Sequence, residues 1–501
     1  MTDVAVAQTQ AHAETKAAGP RHRWWVLAVI GIAQLMVVLD VTVVNIALPS
    51  AQQALGFSND DRQWIVTAYA LAFGSLLLLG GRLADLFGRK VTFLVGLVGF
   101  AGASALGGAA TSFEMLVTAR AVQGLFAALL APAALSLLTT TFTEARERTR
   151  AFGIYGAIAG SGGAVGLLLG GLLTEHLSWR WTLYVNLVFA VVAFVGGWAL
   201  LVPGAPADRP KLDILGTVLV SGGLFGVVYG FADAETHSWS AAGTWGPLIA
   251  GVALLLAFGW WQTRAAHPLL PLRVLLDRNR GTSFLAMLFS SGAMFGLFLF
   301  LTYYLQESLG YTPVVTGLAF LPMVGAVMVT ATLATSLLLP RLGPKVLVPL
   351  GMGLAVGGLV WLTRLGLASS YAANVLPPLI VAGLGIGLVM ASAMNVATSG
   401  VGADDAGVAS AAVNAMQQVG GSIGTALLST FASTAASHYL VGRNPANALV
   451  QAQAAIHGYQ AVYWWSAALF AVGLVVSLIL YRRGIPQQEP SGAPARPAWA
   501  G

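Results

Sequence analysis

The chain reads Gly81-Arg82-Leu83-Ala84-Asp85-Leu86-Phe87-Gly88-Arg89-Lys90 between two long apolar segments. A shorter, similar turn, Pro340-Arg341-Leu342-Gly343-Pro344-Lys345, separates two later apolar segments. The glycine-rich fifth apolar segment likewise has a counterpart in Gly420-Gly421-Ser422-Ile423-Gly424 of the thirteenth. Since both correspondences lie eight apolar segments apart, the sequence predicts two copies of one helical unit with an insert between them.

The composition excludes a soluble protein. Of the 501 residues, 57% are hydrophobic and 9% are charged, and the mean hydropathy is +0.78, whereas an average soluble domain is about 25% charged. The chain has no cysteine, which excludes a disulfide framework, a thiolate metal site and a cysteine nucleophile. The pI of about 9.6 does not indicate nucleic-acid binding, because the basic residues are spread over short loops.

Fourteen apolar stretches between residues 24 and 481 are long enough to cross a bilayer, which needs roughly 20 residues of helix. The seventh and the thirteenth are the weakest, so twelve spans is the alternative. If the N-terminus is cytoplasmic, 20 of the 25 lysines and arginines fall on the cytoplasmic side, as the positive-inside rule requires. The sequence therefore predicts a multi-pass protein of the cell membrane with both termini in the cytoplasm.

The apolar stretches divide the chain into five parts. Residues 24–202 are predicted to form an N-terminal bundle of six helices, and residues 281–482 an equivalent C-terminal bundle. Residues 203–280 carry two inserted transmembrane helices with their flanking loops. Residues 1–23 and 483–501 are predicted to be disordered cytoplasmic tails, because their composition does not support a packed core.

Several motifs carry a family resemblance. Leu39-Asp40-Val41-Thr42-Val43-Val44-Asn45-Ile46-Ala47-Leu48-Pro49 resembles the first-helix motif of the fourteen-span drug:proton antiporters of the EmrB/QacA type, within the major facilitator superfamily. Residues 81–90 are similar to the signature turn of that superfamily, and Arg120-Ala121-Val122-Gln123-Gly124 is similar to its fourth-helix motif. The segment from Trp179 to Asn186 resembles the stretch that leads into helix 6. The resemblance covers residues 24–482 and implies an all-helical fold of two six-helix bundles plus two inserted helices.

The resemblance also implies a function. A protein of this type exports lipophilic or cationic drugs in exchange for protons, by alternating access between its two bundles. It needs no cofactor and no metal, and its partners are the lipid bilayer, protons and small amphipathic substrates; a monomer is compatible with this role. None of the four lysines follows a glycine as a phosphate-binding loop requires, so the sequence predicts no ATP site.

Two departures from the family pattern weaken the match. The fifth-helix antiporter signature usually has Gly-Pro before a later Gly-Gly, whereas this chain has Gly166-Leu167 before Gly170-Gly171. The missing proline removes one marker of antiport. In the thirteenth span the family often has an Arg-Gln pair where this chain has Gln417-Gln418, which removes one cationic contact.

Asp40 and Arg120 are the predicted proton-coupling residues. A charge inside the bilayer costs a few kcal/mol, so a retained one indicates function. Asp40 lies about 16 residues, or roughly 24 Å, along the first span from Trp24. At this depth in the membrane, a proton and a cationic substrate can compete for its carboxylate. The alternative for Asp40 is a structural hydrogen bond to Thr42, Asn45 or another helix. For Arg120, to which the resemblance gives a part in proton coupling, the alternative is a structural tie between helices.

Residues 81–90 are predicted to form a conformational gate loop at the cytoplasmic surface. Its glycines allow a tight turn, and Asp85 can accept hydrogen bonds from a neighbouring arginine in one transport state. The alternative is a loop that only sets the topology. The gate residues are Gly81, Arg82, Asp85, Gly88, Arg89 and Lys90.

Other candidate residues concern helix packing and the substrate cavity. The fifth span carries the glycines that allow helices to approach and slide, namely Gly162, Gly166, Gly170 and Gly171. Polar and aromatic side chains in the spans are candidates for a cavity that takes lipophilic cations, with packing as the alternative for each. They are Asn45, Tyr69, Gln123, Tyr155, Tyr303, Tyr304, Asn414, Gln417 and Gln418. Glu307 falls near a span end and is predicted to be a solvated loop charge.

Other functions compete with drug export. A proton-coupled or facilitative importer of a small metabolite, or a lipid-moving transporter, fits the same fold. Importers of sugars or organic anions, however, usually need a denser set of polar groups at the midplane than one acid and one arginine. An intramembrane enzyme requires a buried nucleophile with a base or a metal, whereas all seven histidines fall in tails or loops. The sequence therefore predicts a transporter and not an enzyme.

Overall fold

The computed structural model describes residues 20–58, 61–142, 144–202, 213–237, 242–266, 268–270, 272–398 and 406–482. Within these residues the regular structure is helical, with fourteen helices of 19 residues or more. They are α1 (Pro20–Leu55), α2 (Arg62–Phe87), α3 (Arg89–Gly108), α4 (Phe113–Thr141), α5 (Ala145–His176), α6 (Trp181–Leu200), α7 (Ile214–His237), α8 (Ala242–Gln262), α9 (Arg278–Tyr303), α10 (Pro313–Leu333), α11 (Pro344–Leu362), α12 (Leu376–Thr398), α13 (Ala406–Leu440) and α14 (Ala448–Leu480). Short helices and π-helical turns lie between some of them, at Leu272–Leu275, Tyr304–Ser308, Ala334–Leu338, Leu339–Leu342 and Tyr371–Val375.

The helices confirm a multi-pass membrane protein. Twelve of the fourteen contain a described stretch that is long and apolar enough to cross a bilayer. The seventh predicted span, one of the two weakest, is among them as Ile214–Phe231. The other two long helices are α5, whose apolar part Val165–His176 is shorter, and α13. Of the predicted tails, residues 1–19 and 483–501 lie outside the described residues, whereas α1 already begins at Pro20.

The two charged turns are breaks between consecutive helices. α2 continues through Gly81 to Phe87 and α3 begins at Arg89, so residues 81–90 are mostly helical, and the prediction of a loop there is wrong. The chain turns at Gly88, where φ is +90° and ψ is 137°. The second copy turns in the same way at Gly343, with φ +69° and ψ 167°. Both conformations favour glycine, because a Cβ is strained at positive φ.

The first six and the last six helices pair in the same way. α1 packs on α5 and α6 just as α9 packs on α13 and α14, and α4 packs on α2 and α3 just as α12 packs on α10 and α11. Two seams join the N-terminal set to the C-terminal set: α2 lies against α13, and α5 lies against α10. In each seam the second helix of one set meets the fifth helix of the other set. This arrangement is expected for two repeats related by an axis along the membrane normal.

The inserted helices cover one of these seams. α7 and α8 pack on each other as a hairpin, and α7 contacts both α2 and α13. The Ser221 hydroxyl on α7 donates to the carbonyl of Ser75 on α2 at 2.7 Å. The rings of Trp64 and Tyr229 also meet between these helices, with centroids 5.9 Å apart. The hairpin is therefore fixed to the N-terminal set and reaches the C-terminal one.

Asp213 fastens the hairpin at the end where α7 begins and α8 ends. Its carboxylate accepts hydrogen bonds from the Gly216 amide at 2.8 Å, the Trp261 indole at 2.7 Å and the Gln262 amide at 2.9 Å. Partial burial acts to raise the pKa of Asp213, but these hydrogen bonds outweigh it and hold the pKa below its usual value.

Because its pKa is lowered, we expect replacement of Asp213 to reduce the stability of the folded protein by an amount that depends on pH. A carboxyl group with a lowered pKa stabilises the folded protein above its unfolded-state pKa, about 3.9, and this contribution disappears as pH falls through the folded-state value. We expect Asp213→Asn to lower the thermal midpoint in detergent at pH 7, and the difference from the unmodified protein to shrink as pH falls below about 4. A difference that stays constant with pH would contradict this assignment.

Substitutions at Gly88 and Gly81 test whether the turn between α2 and α3 depends on its backbone conformation. Gly88→Ala is expected to cost about 1–3 kcal/mol, because alanine is strained at the φ that this turn requires. Gly81→Ala is the matched control: it lies inside α2, and the nearest neighbouring atom, on Pro132, is 3.6 Å from where a Cβ would lie. Thermal midpoints in one detergent should fall for the first variant and stay level or rise slightly for the second. Equal losses would show that charge or packing controls this turn.

Candidate functional site

A buried ion pair joins α1 to α4. Asp40 Oδ2 lies 2.5 Å from Arg120 Nη1, and the two side chains are 0% and 2% exposed. Burial of two charges is costly unless further hydrogen bonds satisfy the remaining donors and acceptors. The neighbouring helices supply these hydrogen bonds.

The second carboxylate oxygen of Asp40 has two amide donors. Gln123 Nε2 donates to Asp40 Oδ1 at 2.9 Å, and Asn186 Nδ2 donates to the same oxygen at 2.8 Å. Gln123 Nε2 also lies 2.6 Å from the hydroxyl oxygen of Ser104. Asp40 is thus held by side chains from α4 and α6, and the hydrogen-bond network extends to α3.

Arg120 has neutral partners in addition to Asp40. Its Nε donates to the carbonyl of Ile65 at 3.2 Å, and its Nη1 donates to Gln123 Oε1 at 2.7 Å. Its guanidinium carbon lies 4.4 Å from the centroid of the Tyr69 ring, a distance at which the ring face attracts a cation. Loss of the charge on Asp40 therefore leaves Arg120 with three interactions that still favour its charge.

A small cavity adjoins the pair. Its volume is about 10 Å³, enough for about one water molecule. Arg120 lines it together with apolar side chains from the part of the bundle where α1 ends and α2 begins. These include Val44, Ala47, Leu48, Ile65, Leu116 and Trp179.

The two ends of the helix bundle differ in charge. Arg82, Arg89, Lys90 and most of the other basic residues in the described part of the chain lie at the end where α1 begins and α14 ends, which we call the basic end. The other end, where α1 ends and α2 begins, is called the distal end.

At the distal end, hydrogen bonds link the N-terminal helices to the C-terminal ones. Arg62 Nη2 on α2 lies 3.1 Å from Glu307 Oε1, just after α9. Glu307, which the sequence predicts to be a solvated loop charge, is 39% exposed but lies in the π-helical turn Tyr304–Ser308 and pairs with Arg62.

Two more hydrogen bonds close the same end. The Gln306 amide donates to the carbonyl of Ile46 at 3.1 Å, and the Val314 amide donates to Glu175 Oε2 at 3.0 Å. The backbones also approach closely there, since a Cβ on Gly171 would lie 2.7 Å from the carbonyl oxygen of Pro313.

Comparisons with known proteins agree with this architecture. A family profile described as Major Facilitator Superfamily matches residues 30–425. The chain belongs to the major facilitator superfamily.

Curated relatives within the superfamily point to drug export. The chain is 48% identical over 488 residues to the puromycin resistance protein pur8 of Streptomyces alboniger, covering 95% of each protein. It is 40% identical over 408 residues to the cephamycin export protein CmcT of Amycolatopsis lactamdurans, covering 81% of this chain and 84% of that protein. The tetracenomycin C resistance and export protein of Streptomyces glaucescens is 36% identical over 418 residues, with coverages of 83% and 77%. These matches confirm the prediction of a drug-exporting secondary transporter and of a protein that is not an enzyme.

Solved structures share the fold at low identity. The inward-facing, unoccupied bacterial homologue of the human lysosomal transporter Spinster has a TM-score of 0.64 at 14% identity, covering 92% of this chain and 97% of that one. The peptide transporter PepTSo has a TM-score of 0.66 at 17% identity, covering 91% and 98%. At these identities the likeness supports the major facilitator fold alone.

The superfamily fold brings Asp40 and Arg120 together, which the sequence did not establish. Thr42, an alternative partner for Asp40, donates to the carbonyls of Val38 and Leu39 instead. Sequence reasoning missed Ser104 and Asn186 as site residues. Both are polar side chains inside apolar spans, and each is fully buried, so this pattern is the signal that would have identified them.

The predicted cavity residues do not gather in one place. Tyr69 and Gln123 belong to the ion-pair network, and Asn45 is buried. The Tyr155 hydroxyl donates to Gln34 at 2.5 Å within the N-terminal bundle, and the Tyr304 hydroxyl donates to the carbonyl of Gly366 at 2.9 Å within the C-terminal one. These tyrosines therefore have structural partners.

The candidates on α13 lie nearer the boundary between the bundles. Gln418 faces Gly74 of α2, where a Cβ would lie 3.1 Å from that of Gln418, and its Oε1 is buried without a partner among the described residues. Gln417 lies 3.7 Å from the Met287 sulfur, and Asn414 is half-buried. Gln418 is thus the predicted cavity residue placed on the α2–α13 seam.

The glycines of α5 serve two different contacts. A Cβ on Gly162 would lie 2.9 Å from Val38, one on Gly166 would overlap Thr42, and one on Gly170 would lie 3.0 Å from the backbone of Val43. These three fit α5 against α1, within the N-terminal bundle. Gly171 instead contacts α10 across the seam, so it is the predicted glycine that lies where the bundles can move.

Two basic side chains within residues 81–90 donate hydrogen bonds to neighbouring segments of the chain. Arg82 donates to the carbonyl of Pro268 at 3.1 Å, in the segment before α9. Lys90 donates to the carbonyl of Trp198 at 2.8 Å and to that of Leu201. The Asp85 side chain lies outside the described part of the structure, and the gate role of these residues, including Arg89, stays a prediction.

A double-mutant cycle tests whether the buried charges depend on each other. Arg120→Met leaves Asp40 buried without its cation and is expected to cost about 3–5 kcal/mol. Adding Asp40→Asn removes the unpaired charge, so the double variant should be more stable than Arg120→Met alone. Thermal midpoints of the four proteins in one detergent measure this coupling. Arg180→Met is the control, because Arg180 donates to the carbonyl of Ala110 rather than to a carboxylate; additive losses at Asp40 and Arg120 would contradict a coupled pair.

Proposed function

We propose that the protein is a drug:proton antiporter of the EmrB/QacA type that exports amphipathic or cationic antibiotics. It spans the cell membrane fourteen times, with the basic end and both termini in the cytoplasm. Residues 24–202 and 281–482 act as two rocking bundles, and residues 203–280 form the insert. No metal or cofactor takes part, and the proton gradient drives transport.

The observation that carries this proposal is the buried Asp40–Arg120 pair. A proton that binds Asp40 removes the attraction between the two side chains. Arg120 then remains held by the carbonyl of Ile65, by Gln123 and by the Tyr69 ring. The pair can therefore break without leaving Arg120 uncompensated, as a site that is repeatedly protonated requires.

The surroundings of the pair supply a direction for the proton. The water-sized cavity at Arg120 lies between the pair and the distal end, which faces outward in the proposed orientation. In the proposed mechanism the proton enters from that side, and the cavity has room for one water molecule that would pass it to the pair. Separation of α1 from α4 after protonation then shifts the balance between the two transport states.

The available driving force is sufficient for export. One pH unit supplies about 1.4 kcal/mol per proton, and 100 mV adds about 2.3 kcal/mol for each net charge moved. The relatives' names suggest the substrates, since they name three antibiotics: puromycin, cephamycin and tetracenomycin C. A broad apolar cavity that recognises area and shape would accept such a range.

Reconstitution in liposomes tests proton-coupled export. The protein is placed in liposomes that contain a pH-sensitive dye and are preset with a pH gradient, and puromycin, cephamycin or tetracenomycin C is added. We expect at least one compound to trigger proton movement, and Asp40→Asn to reduce it to the level of empty liposomes, because the amide does not titrate. Asp213→Asn is the matched control, since it removes a carboxylate outside the buried network and should transport normally.

The outcomes separate the parts of the proposal. Equal proton movement by Asp40→Asn and the unmodified protein would show that Asp40 is structural. Uptake of radiolabelled substrate without proton movement would indicate uniport and would overturn the coupling. Transport of lipids alone by folded protein would overturn the drug specificity.

A further inference from the structure

The C-terminal bundle holds a guanidinium group at the distal end. The Arg62 guanidinium carbon lies 3.6 Å from the centroid of the Tyr303 ring, and its Nη2 lies 3.1 Å from Glu307. The Tyr459 hydroxyl donates to the other oxygen of Glu307 at 3.2 Å. Arg62 thus occupies a seat made of one carboxylate and one aromatic face.

Tyr303, Glu307 and Tyr459, the three described side chains that form this seat, come from one bundle. Tyr303 ends α9, Glu307 follows it in the π-helical turn Tyr304–Ser308, and Tyr459 lies on α14. The seat is firmly built, since Tyr303 is 1% exposed and the rings of Tyr304 and Tyr459 meet edge to face at 6.1 Å. The cation, by contrast, is supplied by α2 of the N-terminal bundle.

A carboxylate beside an aromatic face is a general recognition site for organic cations. The carboxylate supplies charge, and the negative face of the ring attracts a cation that is only weakly hydrated. The side chain of Glu307 is 39% exposed, so solvent already reaches the carboxylate. The Tyr303 hydroxyl is buried and has no hydrogen-bond partner among the described residues. It offers one polar atom that the contact with Arg62 does not use.

Opening of the distal end would separate the cation from its seat. In alternating access the two bundles part at one end of the molecule, and Arg62 moves with α2. Glu307 and Tyr303 would then face the outer opening without the guanidinium that now neutralises Glu307 and covers the Tyr303 ring. An unpaired carboxylate beside an aromatic ring attracts a replacement cation.

We propose that Glu307, Tyr303 and Tyr459 form an outward-facing binding site for organic cations, and that Arg62 is its internal competitor. A cargo with a guanidinium or alkylammonium group occupies the seat of Arg62 while the distal end is open. Return of Arg62 as the end closes displaces that cargo outward. The inference rests on the proposed function, because it assigns a release site to cationic cargo of the same transporter.

Ethidium binding to the protein in lipid nanodiscs tests this site. Ethidium is a flat organic cation whose fluorescence rises when it is bound. We expect Arg62→Ala to bind ethidium about tenfold more tightly than the unmodified protein, because the competing ion pair and cation–π contact are lost. Glu307→Gln, added to Arg62→Ala, should abolish that gain. Arg180→Ala is the matched control: it removes an arginine whose partners lie in the N-terminal bundle, and it should leave ethidium affinity unchanged.

The competing results are distinct. If Arg62→Ala does not increase ethidium affinity, or if the increase persists with Glu307→Gln, the proposal is overturned. Arg62 and Glu307 would then serve only to hold the distal end closed. If Arg62→Ala does not fold, Arg62→Gln replaces it, since glutamine keeps a polar side chain without the charge. Arg62→Lys keeps the charge and should show little gain.

The binding assay needs no proton gradient and no transport. A gain that depends on Glu307, together with failed proton exchange in liposomes, would support the cation site while overturning proton-coupled export. Proton exchange that depends on Asp40, with no Glu307-dependent gain in ethidium affinity, would support export while overturning the cation site.

Discussion

The charge of Arg120 constrains the whole N-terminal bundle. Arginine does not release its proton, and lipid offers no compensating groups, so the bundle must surround it with partners. Asp40 comes from α1, Gln123 from α4 itself, and Ile65 and Tyr69 from α2. Asn186 of α6 and Ser104 of α3 complete the network through Asp40 and Gln123. Arg120 and its partners therefore connect five of the first six helices. The remaining helix, α5, packs on α1 through glycines instead.

The contact between α5 and α10, by contrast, allows the two bundles to move relative to each other, because their backbones meet closely there. Gly171 and Gly317 bring α5 and α10 within van der Waals distance, since a Cβ on Gly317 would lie 2.5 Å from the carbonyl oxygen of Leu167. Such contacts depend on shape rather than on directional bonds, so they can slide at low cost. The directional bonds between the bundles that we describe lie at the distal end, where Arg62, Gln306 and Val314 take part. The structure thus has its distal end closed.

The two bundles share their packing but differ in their chemistry. The same helix pairs meet in both, yet the described part of the C-terminal bundle contains no buried ion pair that corresponds to Asp40 and Arg120. It contributes aromatic residues and an exposed acid at the distal end, around Tyr303 and Glu307. Our two proposals therefore place proton coupling and recognition of organic cations in different bundles. A symmetric scaffold with asymmetric polar groups suits the exchange of two unlike solutes.

The sequence by itself determined the membrane class, the repeat, the approximate spans and the presence of two charges, Asp40 and Arg120, inside predicted spans. These follow from apolar length, from glycine-containing turns and from the cost of a charge in lipid, all of which act along the chain. The tertiary structure alone decided which polar groups meet. It joined Asp40 to Asn186 across 146 positions and Arg62 to Glu307 across 245, and it showed that the predicted cavity residues Tyr155 and Tyr304 have structural partners. Helical periodicity fixes the face of a residue, but the neighbour of that face depends on how the helices pack, which no local pattern encodes.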